Sequence, residues 1–381
     1  MTSWPHATGA APHRPSDDAE VLEVLPTAPG DPATRELAAL ARRLAERPGD
    51  AALAVTVAWR YYELAAAAGD PRYVGYAQAA LAPWWALPEP PAAVRVLRAV
   101  LLQYGHAFEP AAADLEAVLR QTPDDVQAWA WLAAIRMVQA RFREARTACE
   151  RAAPLTTPLN AVACGAAVDA VTGRGSAAAA ALDAALAADP GASAAERLWA
   201  LTRLAETRER LGHFDAAEAA YRAALALQID DVYLEAAYAD FLLDRGRAAE
   251  VVRRLVDRRR ADVLLLRLAI AGQATNDPRA ADWRLQLGAR FDAARLRGDA
   301  LHRKEEARYA LQLQGDARRA LALARENFEL QREPADARVL LEAAVAAHDA
   351  QAAAPALAWR RDSGIESVVL DRLAAALAPA R

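Results

Sequence analysis

Residues 92–159 read AAVRVLRAVLLQYGHAFEPAAADLEAVLRQTPDDVQAWAWLAAIRMVQARFREARTACERAAPLTTPL. The same pattern of apolar and turn residues occurs twice in this stretch. Phe108 and Phe142 lie 34 residues apart, and so do Ala111 and Ala145. Each phenylalanine follows a short turn and opens a stretch in which apolar residues recur at helical spacing. A fixed period of this length indicates an array of helix–turn–helix units.

The repeated plan resembles the tetratricopeptide repeat (TPR), in which two helices form each unit. The small Ala111 and Ala145 would let paired helices approach closely, and Phe108 and Phe142 would close each helical hairpin. The resemblance extends over residues 51–361 in about eight repeats. It implies an all-α, right-handed superhelical solenoid of antiparallel helix pairs.

The segments on either side of the repeats differ from them. Residues 1–32 are rich in proline and are predicted to form a flexible or extended N-terminal lead, in which residues 16–18 cap a short helix. Residues 33–50 carry apolar side chains at helical spacing before a Pro-Gly-Asp stop, which predicts an N-terminal capping helix. Residues 362–381 are predicted to form a C-terminal capping helix.

Composition and charge limit the classes of function. The chain has 381 residues and a net charge of −4, so no strong electrostatic attraction to nucleic acid or to a membrane surface is expected. No apolar run reaches the roughly 18 residues of a transmembrane segment. Lys304 is the only lysine, and this bias toward arginine favours a GC-rich, bacterial genome.

The sequence contains no recognisable catalytic or metal-binding arrangement. No two histidines have the i, i+4 spacing of a helical metal site, and hydrolase elbows, phosphate loops and dinucleotide fingerprints are missing. The densest ionisable cluster, residues 302–308, predicts a surface salt-bridge network along one helix. We therefore expect no catalytic site, no metal and no cofactor.

The TPR resemblance also implies a function, that of a non-enzymatic scaffold binding a peptide segment or a partner protein in a concave groove. A second interpretation is a structural subunit of a multiprotein assembly, for example in an envelope or secretion system, acting through its caps or convex face. A third interpretation, a helical enzyme, is disfavoured by the missing motifs. A monomer is favoured, and nucleic acid is not expected as a partner.

The resemblance places the groove at first-helix positions that face away from the second helix. These positions are aromatic or apolar in the N-terminal half and mostly charged in the later half, which would suit a partner with an apolar anchor and a charged flank. Core packing is an equal alternative for each aromatic residue. The predicted groove residues are Trp59, Tyr62, Val100, Tyr104, Trp131, Met137, Arg203, Glu206, Arg210, His302, Glu305 and Tyr309.

Cys149 and Cys164 are the only cysteines and flank a turn that would fold two helices antiparallel. Helices in contact lie about 8–10 Å apart and a disulfide needs Cα atoms within roughly 7 Å, so a bond is feasible. Two buried free thiols are the alternative. A bond would imply an oxidising compartment, so periplasmic export, with the signal peptide absent from this chain, competes with a default cytoplasmic location.

Overall fold

The computed structural model describes residue 17 and residues 32–296 and 302–378, with the backbone alone for 32–34. The short helix predicted to follow residues 16–18 lies outside the described residues. Within the described ranges all regular secondary structure is helical. None of the helices in these ranges has an apolar stretch long enough to cross a membrane.

Twenty-one α-helices and one 3₁₀ turn, at Ala153–Leu155, occupy the described part of the chain. In chain order the helices are α1 Pro32–Glu46, α2 Ala51–Ala68, α3 Arg72–Ala80, α4 Ala82–Trp85, α5 Ala92–Tyr104, α6 Phe108–Gln121, α7 Val126–Val138, α8 Phe142–Ala152, α9 Pro158–Asp169, α10 Gly175–Ala188, α11 Ala194–Arg210, α12 Phe214–Leu225, α13 Val232–Asp244, α14 Ala248–Leu255, α15 Asp262–Thr275, α16 Ala280–Leu296, α17 Arg303–Gln314, α18 Ala317–Leu330, α19 Pro334–Ala346, α20 Ala354–Ser363 and α21 Val368–Ala376.

Consecutive helices pack on each other in pairs, so the prediction of an all-α, TPR-like solenoid is confirmed. Ala111 and Ala145, which set the period in the sequence, are both fully buried where paired helices meet. The pairs in the described ranges are α2 with α3, α5 with α6, α7 with α8, α9 with α10, α11 with α12, α13 with α14, α15 with α16, α17 with α18 and α19 with α20.

Local sequence signals set where the helices begin and turn. Asp125 and Asp231 cap α7 and α13, each accepting a hydrogen bond from the backbone N–H three residues later. Within the pairs, the turn residue has a positive φ, as at Gly212 (φ 81°), a conformation that glycine adopts without steric cost. His106 and Ala140 adopt the same left-handed conformation with φ of 60° and 58°.

The first helices of the pairs line the inner face of the solenoid. Arg308 on α17 reaches back past one pair to Asp240 on α13, with Nη2 2.8 Å from Oδ1. Arg338 on α19 reaches back past two pairs to Asp244, at the end of α13, with Nη2 2.7 Å from Oδ1. Such contacts between non-adjacent pairs require the first helices to converge on the inside of the curve.

The C-terminal helices return to the early repeats and pack along the row of turns, which we define as the loops between α5 and α6, α7 and α8, α9 and α10, and α11 and α12. The backbone N–H of Arg332 donates to Val138 O at 2.8 Å, at the end of α7. Gly175 N–H, at the start of α10, donates to Glu366 Oε2 at 2.7 Å. The later part of the solenoid therefore stacks on the edge of the earlier part.

The two ends of the described solenoid are covered in different ways. Leu37 and Leu44 of α1 pack on Leu53 and Val57 of α2, so α1 shields the apolar start of the stack. At the other end α21 packs on α19. Val368 of α21 lies against the α11–α12 turn, so close that a Cβ atom added to Gly212 would be 3.2 Å from Val368 Cγ1. The C-terminal helix thus covers the row of turns as well as its neighbouring repeat.

Cys149 on α8 and Cys164 on α9 form a disulfide bond in the structure, with their Cα atoms 5.5 Å apart. Cys149 is buried beside Ala133, Ala145 and Ala148, which are small enough to let the helices approach. The bond fastens two neighbouring pairs across a short loop.

Reduction of this bond should lower the free energy of unfolding by about 3 kcal/mol, because the bond closes a loop of 15 residues in the unfolded chain. We expect the urea midpoint to fall on adding reductant. A Cys149→Ser, Cys164→Ser double variant should show no such dependence. Alkylation of both thiols without reductant, in protein taken from its native compartment, would contradict the bond.

Candidate interaction surface

Four of the predicted groove residues form an aromatic cluster on the inner face: Trp59, Tyr62, Tyr104 and Trp131. The ring centroids of Trp59 and Tyr62 lie 5.8 Å apart, and those of Tyr62 and Trp131 lie 6.0 Å apart, both edge to face. This is the geometry that the quadrupoles of aromatic rings favour. All four side chains are half-buried, so each keeps an accessible part.

The aromatic cluster is assembled from three successive first helices. α2 carries Trp59 and Tyr62, α5 ends at Tyr104, and α7 carries Trp131. Burial raises the pKa of Tyr62 to about 12, and the neighbouring phenol of Tyr104 adds to the shift. The Tyr62 hydroxyl therefore stays protonated and can donate a hydrogen bond at any physiological pH.

An inner polar cluster lies on the later first helices and consists of Arg203, Glu206, Tyr233, Lys304, Glu333 and Asp336. The Arg203 guanidinium lies 3.2 Å from Glu206 and has its carbon 4.9 Å from the centroid of the Tyr233 ring. The Tyr233 hydroxyl donates to Glu206, while 53% of the residue remains exposed. The cluster thus pairs charges yet presents an accessible aromatic ring.

Lys304 connects α17 to α19 within the inner polar cluster. Its Nζ lies 3.6 Å from Asp336 Oδ1, and Asn327 Nδ2 donates to the same oxygen at 2.9 Å. Burial lowers the pKa of Lys304, but the carboxylates of Asp336 and Glu305 outweigh that effect and raise it. Burial and the charge of Asp336 raise the pKa of Glu333, while burial and the charge of Glu305 raise that of Asp336 against the opposing effect of Lys304.

Another carboxyl group with a raised pKa lies beside this cluster, on α11. Burial raises the pKa of Glu209 to about 7, although the hydrogen bond donated by the Tyr221 hydroxyl to Oε2, at 2.8 Å, opposes the shift. Arg210, the next residue, donates from Nη2 to Thr207 Oγ1 at 3.2 Å. Arg210 was predicted to line the groove, and this contact holds it against its own helix.

Several predicted groove residues lie in packed positions instead. Val100 is fully buried in the core between α2, α3 and α5. Tyr309 is 6% exposed because its ring packs on Phe291, and its hydroxyl donates to Arg284 O at 3.2 Å. Glu305 is 8% exposed. These three side chains are unavailable to a partner.

The remaining predicted groove residues lie where α7 and α17 meet other parts of the chain. Met137 packs on both the α8–α9 core and the C-terminal core, so it joins the early and late repeats. His302 precedes α17 as its N-cap residue and is half-buried.

The expectation of a surface salt-bridge network within residues 302–308 is wrong. Glu306 is buried, and its Oε1 accepts hydrogen bonds from Arg295 and Arg319, which lie on the neighbouring helices. Arg308 likewise pairs with Asp240 on α13. The charges connect different helices because α17 is packed on several sides and has little free surface.

Sequence reasoning missed Tyr233, Glu333 and Asp336. Tyr233 contacts Glu206 on another helix, and Asp336 contacts Lys304 on another helix, so no spacing within one helix signals these contacts. Within the ranges that the structure covers, no three His, Cys, Asp or Glu side chains are grouped so that they could hold a metal ion.

Comparisons with known proteins give similarity of fold. No protein-family model matches the chain, and no curated protein matches it. A tetratricopeptide repeat protein from Parabacteroides merdae is 12% identical over 82% of this chain and 98% of its own, with a TM-score of 0.37.

Two further solved structures extend over more of the chain. The APC/C hetero-tetramer Cut9–Hcn1 is 12% identical over 90% of this chain and 58% of its own, with a TM-score of 0.45. The human IFIT1 dimer with PPP-AAAA is 15% identical over 91% of this chain and 86% of its own, with a TM-score of 0.46. At such low identity, the residues of this chain itself must carry any functional conclusion.

His106 lies in the α5–α6 turn, where the row of turns contacts the later helices. Its Nδ1 lies 3.4 Å from Gln331 Nε2. Burial lowers the pKa of His106 to about 4, and the charges of Lys304, His302 and Arg303 lower it further, while that of Glu305 raises it. The folded protein therefore keeps this imidazole neutral near pH 5, where the unfolded chain protonates it.

We expect the contribution of His106 to the free energy of unfolding to fall by about 2 kcal/mol between pH 7 and pH 5, because the unfolded state binds the extra proton, whereas Glu209 contributes in the opposite direction. His106→Asn should remove most of this dependence, since asparagine tolerates the positive φ at this position. Urea unfolding at both pH values measures the difference. His348→Asn, at an exposed turn residue with φ 53°, is the matched control. Equal pH slopes for wild type and His106→Asn would contradict the buried neutral state.

Proposed function

We propose that the protein is a non-enzymatic scaffold that binds an extended segment of a partner protein on its inner face. The observation that carries this proposal is the aromatic cluster, in which Trp59, Tyr62, Tyr104 and Trp131 come together from three first helices and remain half-buried. Aromatic side chains held in this way lose little conformational entropy when a partner packs on them, and they dominate the energy of many interfaces.

The aromatic cluster suits an apolar anchor on the partner. Tyr62 and Trp131 present ring faces and edges 6.0 Å apart, and the Tyr62 hydroxyl adds a hydrogen-bond donor beside the apolar surface. An aliphatic or aromatic side chain would contact both rings, while the adjoining backbone of the segment could accept from the hydroxyl. This combination of apolar contact and one polar group is typical of peptide-binding sites.

The inner polar cluster suits a basic flank on the same segment. Lys304 pairs with the buried Asp336, which leaves two accessible carboxyl groups, on Glu206 and Glu333, against one cation, on Arg203. A lysine or arginine of the partner would relieve the repulsion from Asp336 that raises the pKa of Glu333. The same excess of carboxyl groups disfavours a nucleic-acid strand, whose phosphates would add negative charge.

The second candidate function, a structural subunit of an assembly, is supported by another aromatic patch. Tyr76 is 51% exposed, and its ring centroid lies 5.4 Å from that of Tyr61 and 6.2 Å from that of Tyr73. These tyrosines lie on α2 and α3, at the N-terminal end of the solenoid. A subunit docking end to end would use this patch and leave the inner face free.

We expect selection from a displayed random-peptide library to enrich segments with an apolar anchor followed by lysine or arginine. Trp131→Ala and Tyr62→Ala should each weaken binding of a selected peptide by roughly 30-fold, the loss typical of an interface hot spot. Fluorescence anisotropy at physiological salt measures the affinities, and circular dichroism checks that the helical signal is kept.

Leu285→Ala is the control, because Leu285 lies on the second helix α16, outside both inner-face clusters, and is 66% exposed. Equal affinities for Trp131→Ala, Leu285→Ala and wild type would overturn the proposed site. Tighter binding of a single-stranded oligoadenylate than of any selected peptide would indicate nucleic acid as the partner. Loss of peptide binding on Tyr76→Ala alone would move the interface to the N-terminal patch.

A further inference from the structure

The aromatic patch at the N-terminal end of the solenoid, formed by Tyr61, Tyr73 and Tyr76, is an open surface that we call the tyrosine patch. The rings of Tyr61 and Tyr73 are stacked with their centroids 6.4 Å apart, and the Tyr76 ring lies beside both. Next to them, a Cβ atom added to Gly75 would meet no atom within 4 Å. Three clustered rings with free space above them form a surface that another segment can cover.

The chain enters its first helix beside the tyrosine patch. Residues 47–50 are the only connection between α1 and α2, so the two helices pack antiparallel and α1 begins beside the later half of α2. Leu37 and Leu40 of α1 share an apolar cluster with Tyr61 and Leu64 of α2. The segment that precedes Pro32 therefore joins the solenoid next to these tyrosines.

That preceding segment contains an apolar stretch at residues 20–25, which read EVLEVL. In a helix, the aliphatic side chains at 21, 22, 24 and 25 would share one face, and Glu20 and Glu23 would lie on the opposite face. Four aliphatic side chains in five residues favour a position where apolar surface covers them.

The connection to α1 limits where residues 20–25 can lie. Residues 26–31 separate the stretch from Pro32, and six residues span at most about 20 Å, roughly two helix diameters. The stretch is thus confined to the end of the solenoid that carries the tyrosine patch. Because it belongs to the same chain, its effective concentration there is in the millimolar range, which a separate partner would have to exceed.

The charges of the two surfaces are complementary. Residues 17–25 contain four carboxylates and no basic side chain. Arg60 and Arg72 directly precede Tyr61 and Tyr73, and their side chains remain 52% and 46% exposed although each pairs with a carboxylate of its own neighbourhood. A guanidinium has five N–H donors, so these arginines can accept contacts from further carboxylates.

We propose that residues 20–25 pack on the tyrosine patch and shield it. Their aliphatic face would cover the rings of Tyr61, Tyr73 and Tyr76 and extend the apolar contact that Leu37 makes with α2. The tyrosine patch is then occupied by the chain's own N-terminal segment, and a subunit that docks end to end must displace this segment first. The contact does not depend on partner binding at the inner face.

Nitration of Tyr76 by tetranitromethane, mapped by mass spectrometry, tests the proposal on the full chain. Leu22→Asp combined with Leu25→Asp should raise the nitration rate at least five-fold, because two carboxylates are disfavoured in apolar contact with the rings. Ala10→Asp combined with Ala11→Asp is the matched control, since it adds the same charge outside the apolar stretch. Equal nitration rates in wild type and both variants would overturn the proposal.

Sedimentation velocity identifies a different occupant. We expect wild-type Tyr76 to be protected from nitration equally at low and high protein concentration, because the covering segment belongs to the same chain. Protection that grows with concentration, together with a dimer in sedimentation, would assign the tyrosine patch to a second copy of the chain and overturn the proposal.

Hydrogen exchange at the amides of residues 20–25 provides the reciprocal test. In the wild type we expect exchange at least ten-fold slower than in a free peptide of the same sequence. Tyr73→Ser combined with Tyr76→Ser should remove this protection and leave the amides of α2 protected. Tyr233→Ser is the control, because Tyr233 is 53% exposed but lies on the inner face. Exchange in the wild type as fast as in the free peptide would contradict the docked segment.

Discussion

The carboxylate of Asp240, held between the guanidinium groups of Arg267 and Arg308, fixes how sharply the solenoid curves. Three successive first helices, α13, α15 and α17, meet at this one side chain. Burial alone would raise the pKa of Asp240, but the two arginines outweigh it and hold the pKa well below its ordinary value. Its charge therefore persists at physiological pH, and loss of a partner from such a half-buried group is destabilising.

This curvature brings the late repeats back to the early ones. Once α13, α15 and α17 converge, α18 to α21 pack against the row of turns, with the backbone bond from Arg332 to Val138 O at its centre. The return places Lys304 near His106, so the inner polar cluster lies beside the turn that follows α5. The proposed inner-face site thus depends on the curve of the chain.

The features that recur in every repeat could be predicted from the sequence. The contacts that depend on the curvature of the solenoid could not. Phe142 and Ala145 indicated the period, the pairing of helices and the small-residue contacts, because those features recur within 34 residues. The contact between the rings of Trp359 and Phe142 joins residues from distant repeats, and no spacing in the sequence encodes it. For the same reason Tyr309 was expected on the groove surface but packs between α16 and α17. Trp131 lies beside Tyr62 and is half-buried, and its role in a groove stays a prediction.

Hydrogen exchange at the backbone amide of Arg332 tests most directly whether the late helices stack on the row of turns. This amide follows the end of α18, and its acceptor is Val138 O, 2.8 Å away in the early repeats. We expect protection comparable to that of the Gln331 amide, which bonds within its own helix to Asn327 O at 2.8 Å. Exchange at the rate of an exposed loop, with the Gln331 amide still protected, would show an open solenoid and contradict the stacked arrangement.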